Sequence, residues 1–292
     1  MFIIYHLFFE ILIYGILFGF VYALISAGFS LVFGVSKILN LSYGALYMTT
    51  AYLIYYFVTY LRIPLIGTIL ISIFLTLLIG LLIFYFVLKF TKNPNIFMVT
   101  MLLFALLLQY LYSFLFGGEV GFIIPGPFPN GSLNLVGVSV SFSLLASAVI
   151  SLGIVAASWI WIEKSALGRK IRATSEDAEV AELVGINTRW VTFLVLTVSI
   201  IFIAVASVLV VPSQEVTPDM WINPFVIAFA VSIIGGLGKF KWVIPSAMIV
   251  SFSEVISQYL IRYNVSEIAA FVIVIIFIII FPNGLGGGKD EI

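Results

Sequence analysis

The 292-residue sequence has no cysteine, a single histidine (His6) and few charges, 9% of the total. Without cysteine there are no disulfides, no thiol nucleophile and no Cys-metal site. With one histidine, a Ser-His-Asp triad, His-based metal ligation and His general-base chemistry all lack parts. Basic and acidic residues balance at 13 each, with no basic tail, so nucleic acid is not a partner this composition suggests. The ~10-residue alternating segments of a membrane β-barrel are absent. Phosphate loops fail as well. A P-loop needs G-x-x-x-x-G-K-[ST], but Ile233 stands five residues before Gly238 and Phe240 follows Lys239. Asn283 and Asp290 occupy the same places around Lys289. No catalytic residue and no metal or cofactor site emerges.

What is present is hydrophobic: 63% of the chain, 16% of it aromatic, with a mean hydropathy of +1.27. Apolar runs of about 20 residues recur from end to end, each long enough to cross a ~30 Å hydrocarbon core. Continuous runs leave helices as the only spanning option. The expected fold class is an all-α polytopic transmembrane bundle of eight to nine spans, at roughly 11–33, 44–60, 64–88, 96–116, 139–162, 191–211, 222–236, 243–261 and 265–281. The start, MFIIYHLFFEILIYG, has no Lys or Arg before its apolar run and carries Glu10, a poor signal-peptide n-region, so it is expected to be retained.

Orientation follows from the loops. If the charged stretch 163–190 is cytoplasmic, Lys37, Lys89, Lys92, Lys164, Arg169, Lys170, Arg172, Arg189, Lys239, Lys241 and Lys289 are all inside. Only Arg62 and Arg262 remain outside. This positive-inside bias expects the N-terminus outside and the C-terminus in the cytoplasm of a multi-pass protein. The longest outside loop, GGEVGFIIPGPFPNGSLNLVG, reads as a turn-laden connection without a core of its own.

Three spans are irregular. In the first, Gly15, Gly19, Ala23 and Ala27 recur every fourth residue and line one helical face, for close packing or a dimer seam. Segment 222–236, bounded by Pro224 and Gly235-Gly236, would be only about 22 Å long as a helix. Such short segments are where transporters place half-helices or broken helices near a substrate path. Glu254 lies deep in segment 243–261, where an unpaired charge would cost on the order of 2.5–3.5 kcal/mol. Gln258, one turn on, and Gln109, in another span, are its candidate partners. It is either a bundle hydrogen bond or part of a transport path. There is also a faint internal echo: GVSKILNLSYGA (34–45) and GLGKFKWVIPSA (236–247) share Gly, Lys and Ala at a constant offset, each between two spans. Chance at inside turns and a parallel repeat both explain it.

Glu163–Trp190 holds ten of the 26 charged residues. Within it the pattern predicts a short helix over Ser175–Val184. Thr174 followed by Asp177 fits an N-cap and capping box, Glu176 and Asp177 suit the first turn, and Gly185 can close the helix in the left-handed conformation. Val180, Leu183 and Val184 form one small apolar face. A ~15 Å helix is too short to be stable alone, so it docks on something or belongs to a solvated loop.

The run Glu179-Val180-Ala181-Glu182-Leu183-Val184-Gly185 resembles the E-A-A-x-x-x-G cytoplasmic motif of ABC importer permeases, with Val for the central Ala. GRKIRATSEDAEVAELVGINTRWVTFLV is similar to the corresponding segment of bacterial and archaeal branched-chain amino acid ABC permeases. GFSLVFGVSKILNLSYGALYM and VSIIGGLGKFKWVIPSAMIVSFSEVI resemble the family's other blocks, in family order. The early NLSYGA block is closer to the H-type subunit than to its M-type partner. One departure is Lys241-Trp242-Val243-Ile244-Pro245, where the family often has a Gly-rich stretch, and it leaves substrate choice the weaker inference.

The resemblance implies a single permease domain over 1–292 in the plasma membrane, with a coupling loop at 163–190. It implies a second, like or related permease subunit, an extracellular substrate-binding protein, surrounding lipid, and cytoplasmic ATPase subunits that bind the ATP. The permease itself would be neither an enzyme nor a cofactor binder. Coupling to the ATPase would fall to Ser175, Glu176, Asp177, Glu179, Val180, Ala181, Leu183, Val184 and Gly185. The expected substrate path comprises Asn40, Ser42, Gly44, Asn223, Gly235, Gly236 and Glu254. Branched-chain or similar amino acids are the implied cargo, with urea, amides or another small polar solute as alternatives. A self-contained secondary transporter, with Glu254 as proton or ion site, is the rival of a different class.

Overall fold

The structure is a computed structural model. It describes residues 2–91, 93–118, 121–128 and 131–260, and beyond these 272, 275–277, 279–280 and 284–286. The chain forms α1 (Phe2–Ser36), α2 (Tyr43–Thr59), α3 (Leu65–Phe90), α4 (Pro94–Phe116), a hairpin of β1 (Ser132–Leu135) and β2 (Val138–Ser141), α5 (Phe142–Lys164), α6 (Ala166–Glu176), α7 (Ala178–Leu183), α8 (Thr188–Val210), α9 (Ile222–Gly235) and α10 (Val243–Leu260). Among the described residues six helices are long and apolar enough to cross a membrane, with α2 and α9 as shorter apolar helices. The expected all-α bundle is therefore present, and each of the eight apolar segments read through residue 261 is helical, six of them long enough to span. The ninth, 265–281, lies largely outside the described residues.

The helices divide by exposure. α1 and α8 bury two thirds of their most apolar windows and form the centre, while α3, α4 and α5 bury under a third. Large apolar side chains such as Ile66 and Phe114 project outward from α3 and α4. In water this would be an aggregation surface; against lipid it is the ordinary solvent face, and each helix satisfies its own backbone there.

Small residues set the closest approaches. A Cβ on Gly15 would lie 2.6 Å from the Phe252 ring, and one on Gly19 would collide with Met248, so both glycines are used by α10 of the same chain. Ser251 Oγ donates to the Gly15 carbonyl at 2.7 Å in that contact. The stripe read from sequence as packing or a dimer seam is thus, at Gly15 and Gly19, packing within the chain.

The echo has a structural counterpart. α1–turn–α2 and α9–turn–α10 are both helix pairs that reverse at the same end of the bundle, and the turns touch. A Cβ on Gly34 would stand 3.1 Å from Gly238. That end also carries α6 and α7 and is called the charged end below. At the other, loop-bearing end the connection expected to lack a core forms the hairpin instead. Its Val138 and Val140 are buried against Leu17 and Ala148, and Phe122 pairs with Val216.

Candidate substrate cavity

α9 is short because its ends are punctuated. Pro224 in its first turn suits a position whose amide has no intrahelical partner, and at its other end Gly236 has φ +89°. The chain entering α9 carries Trp221, whose Nε1 donates to Gln109 Oε1 at 2.9 Å. Gln109, expected as a partner for Glu254, is committed there instead. α9 therefore begins inside the bundle: Gly44, at the start of α2, lies so close to the Trp221 carbonyl that no Cβ fits.

Above that start is a cavity of about 270 Å³. α10 contributes Glu254 and Gln258, α1 contributes Phe18, Tyr22 and Ile25, and α9 contributes Asn223, Pro224 and Ile227. Ser147 of α5, Tyr47 of α2 and the turn residues Ser213 and Gln214 complete its polar lining. Two residues assigned to the path from sequence, Asn223 and Glu254, thus share one cavity although they stand on different helices.

Glu254 is 8% exposed. Burying a carboxylate is tolerable only with partners, and the structure supplies them. Tyr22 Oη donates to Glu254 Oε2 at 2.7 Å, and Gln258 Nε2 reaches Oε1 at 3.5 Å. Tyr22 is itself placed by α1, packed along α10 through Gly15 and Gly19. The cavity presents a held carboxylate on one side, amide side chains beside it, and the amino end of a half-helix, whose dipole favours an anion. Apolar wall fills the rest. One turn beyond Ile25, Phe29 packs edge-on to Tyr43, Phe225 and Phe229, an aromatic layer on the charged-end side of the cavity.

The other sequence-assigned path residues lie outside this cavity. Asn40 Oδ1 accepts from the Ser42 amide at 3.1 Å and its hydroxyl at 2.8 Å, so both order the turn before α2. Gly44 gives room for Trp221. Gly235 packs on Ser246 and Trp242, and the Gly235 carbonyl accepts from the Gly286 amide at 3.2 Å. Tyr22, Tyr47, Ser147 and Gln214 went unmarked from sequence. A tyrosine inside an apolar span carries no local sign that its hydroxyl is engaged, and Tyr22 and Glu254 are 232 residues apart.

The charged loop differs in detail from its expectation. The structure has two helices, α6 and α7, and the N-cap is Asp177, not Thr174: Asp177 Oδ1 accepts from the Glu179 and Val180 amides at 2.9 and 3.1 Å. Ser175 and Glu176 end α6, and Thr174 Oγ1 bonds back to the Lys170 carbonyl within it. Sequence reading missed α6 although Ser165 caps it through the Gly168 amide at 2.8 Å. Gly185 does close α7 with φ +84°. Its amide donates to Glu182 O and the Ile186 amide to Ala181 O, both at 3.0 Å, a complete Schellman closure. Ala181 faces inward, while Val180, Leu183 and Val184 are 54, 86 and 71% exposed. Thr188 donates to Glu182 and fastens α7 to α8. No group of three or more His, Asp or Glu placed to hold a metal ion exists among the described residues.

A family model described as branched-chain amino acid transport system / permease component matches residues 11–281. The chain is 24% identical over 301 residues to the high-affinity branched-chain amino acid transport system permease protein BraD of Pseudomonas aeruginosa, covering 98% of each. It is 26% identical over 298 residues to the corresponding protein LivH of Escherichia coli K12, covering 94% of each. In fold it is similar to PsaBC from Streptococcus pneumoniae in complex with Fab, with a TM-score of 0.52 and 12% identity over 94% of this chain and 93% of that one. The chain is a multi-pass membrane protein, and with the match covering nearly its whole length it belongs to the branched-chain amino acid transport permease family, a transport component rather than an enzyme.

Proposed function

We propose that this chain is the permease subunit of an ABC importer for branched-chain or similar amino acids. A binding protein delivers substrate outside, a second permease subunit completes the pathway, and ATPase subunits in the cytoplasm supply the energy. The N-terminus is outside and the charged end inside, in line with the loop charges. The observation that carries the reading is the cavity where Glu254, Asn223 and the α9 N-terminus converge within an apolar wall. At about 270 Å³ it lies just under the ~300–1,000 Å³ range of drug-sized sites, which suits a ligand the size of one amino acid. Glu254 receives the ammonium group, the amino end of α9 and Asn223 receive the carboxylate, and Ile25 and Ile227 face the aliphatic side chain.

Coupling runs through α7. Its exposed Val180, Leu183 and Val184 seat in the ATPase, and α8 connects that seat to the cavity, where Leu209 and Val210 form part of the wall. When nucleotide closes the ATPase pair, the capped and tethered α7 moves as a unit and α8 carries the displacement to the cavity. The aromatic layer of Phe29, Tyr43, Phe225 and Phe229 is the barrier that must part for release. The test is reconstitution in proteoliposomes. Leucine uptake is expected only with ATP, the ATPase subunits and binding protein together; uptake by this chain alone, driven by a proton or sodium gradient, would refute the reading.

A further inference from the structure

A second, larger cavity of about 670 Å³ opens at the charged end, between the α1–α2 turn, the α5–α6 corner and the α9–α10 turn. We infer that it binds the phosphate of an anionic phospholipid headgroup from the adjoining leaflet. Four cations line it, Lys37, Arg172, Lys239 and Lys241, against two carboxylates, Glu163 and Glu176. One of those carboxylates is already spent on a cation: Arg172 lies 3.6 Å from Glu163 and also donates to the Ile162 carbonyl. Lys239 donates to the Gly286 carbonyl. The ammonium groups of Lys37 and Lys241 have no hydrogen-bond or carboxylate partner among the described residues.

The fold brings these lysines together. Lys37 and Lys239 occupy equivalent places in the two echoing segments, and the Gly34–Gly238 contact draws their turns into one rim. The rest of the lining is largely apolar and aromatic, and it includes Trp159, Trp242, Leu31 and Ile162. Cations, indoles and aliphatic side chains in one cavity match the groups found where a bilayer's headgroup region meets its hydrocarbon. Trp159 lines the cavity and is 44% exposed, so acyl chains can lie along α5 while the phosphate enters the rim. Basic pockets between membrane helices take anionic headgroups in this way, and lysine serves as the point charge.

The test uses the purified full chain in a neutral detergent, reading the unfolding midpoint. Adding phosphatidylglycerol is expected to raise it by roughly 3–5 °C, the size of a ligand effect near saturation. Phosphatidylcholine is expected to give no comparable rise, and neither is inorganic phosphate alone. The double variant K37Q/K241Q loses the phosphatidylglycerol shift and K37R/K241R keeps it. Glu163→Gln, which frees Arg172, enlarges the shift, and decides the matter should the glutamine pair fail to fold. An equal shift with phosphatidylcholine, or one unchanged in K37Q/K241Q or in Glu163→Gln, overturns the site. An equal shift with inorganic phosphate overturns the lipid as its source.

Discussion

The two ends of this molecule solve opposite problems. Around the cavity, toward the loop-bearing end, key polar groups are buried and held from within: Glu254 by Tyr22 and Gln258, and the Ser147 hydroxyl by the Leu209 carbonyl at 2.8 Å. At the charged end apolar groups are exposed and satisfied by nothing in the chain. Leu183 and Val184 stand out among charges on a helix whose backbone is capped at both ends. A buried acid with partners costs little and stays selective for whatever displaces them. An exposed apolar face on a rigid helix costs solvation until something covers it. The first is how a protein holds a small polar ligand; the second is how it holds a neighbour.

The contrast can be broken at either end separately. Gly185→Pro should have the largest effect, because proline cannot adopt φ +84° and removes the amide that closes α7. ATP-driven uptake is expected to fall roughly a hundredfold or more, in line with a loss of ~3 kcal/mol. Stabilisation of the purified chain by leucine should persist, since the cavity is untouched; loss of both would erase the distinction between the ends. Glu254→Gln is the reciprocal change. It keeps the shape but removes the charge that faces an ammonium group, a charged hydrogen bond of about 1.5–3 kcal/mol. Uptake KM should rise on the order of tenfold or more while ATPase co-purification stays as in the unaltered chain. An unchanged KM would remove Glu254 from the ligand.

Local signals told which segments would be special, and long-range packing told what each does. Pro224 and the Gly235-Gly236 pair bound the half-helix to within one residue of its observed end, because both act on the backbone where they stand. Gly185 was legible for the same reason. The N-cap of α7 was misplaced by three residues, from Asp177 to Thr174, because either side chain fits a cap and only the course of α6 decides between them. Asn40, Ser42 and Gly44 drew attention as polar or small residues near a span. Yet the first two order a turn through bonds between residues two apart, and the third makes room for the Trp221 carbonyl, a role set nearly 180 residues away. Tyr22 was invisible for the converse reason.

Two smaller changes sharpen the contrast by testing the frame that holds both ends. Gly19→Val forces a side chain into Met248 of α10 and should lower the unfolding free energy by about 1–3 kcal/mol. Because α1 carries Tyr22 on that interface, leucine stabilisation should weaken with it. A neutral result would mean that α1 and α10 are not packed as described. Gln109→Leu is the mildest. It removes the acceptor for Trp221 Nε1 and should cost only ~0.6 kcal/mol, the average for an interhelical hydrogen bond in a membrane, read as a small drop in unfolding midpoint with transport retained.

The absence of cysteine permits a direct examination of the exposed face. In a Leu183→Cys variant the introduced thiol is unique, so a membrane-impermeant maleimide reports on that position alone. In inside-out vesicles holding the chain without ATPase subunits the thiol should label fully, and assembly with the ATPase should protect it at least severalfold. Equal labelling with and without the ATPase would contradict the assignment of α7 as the place where energy enters this permease.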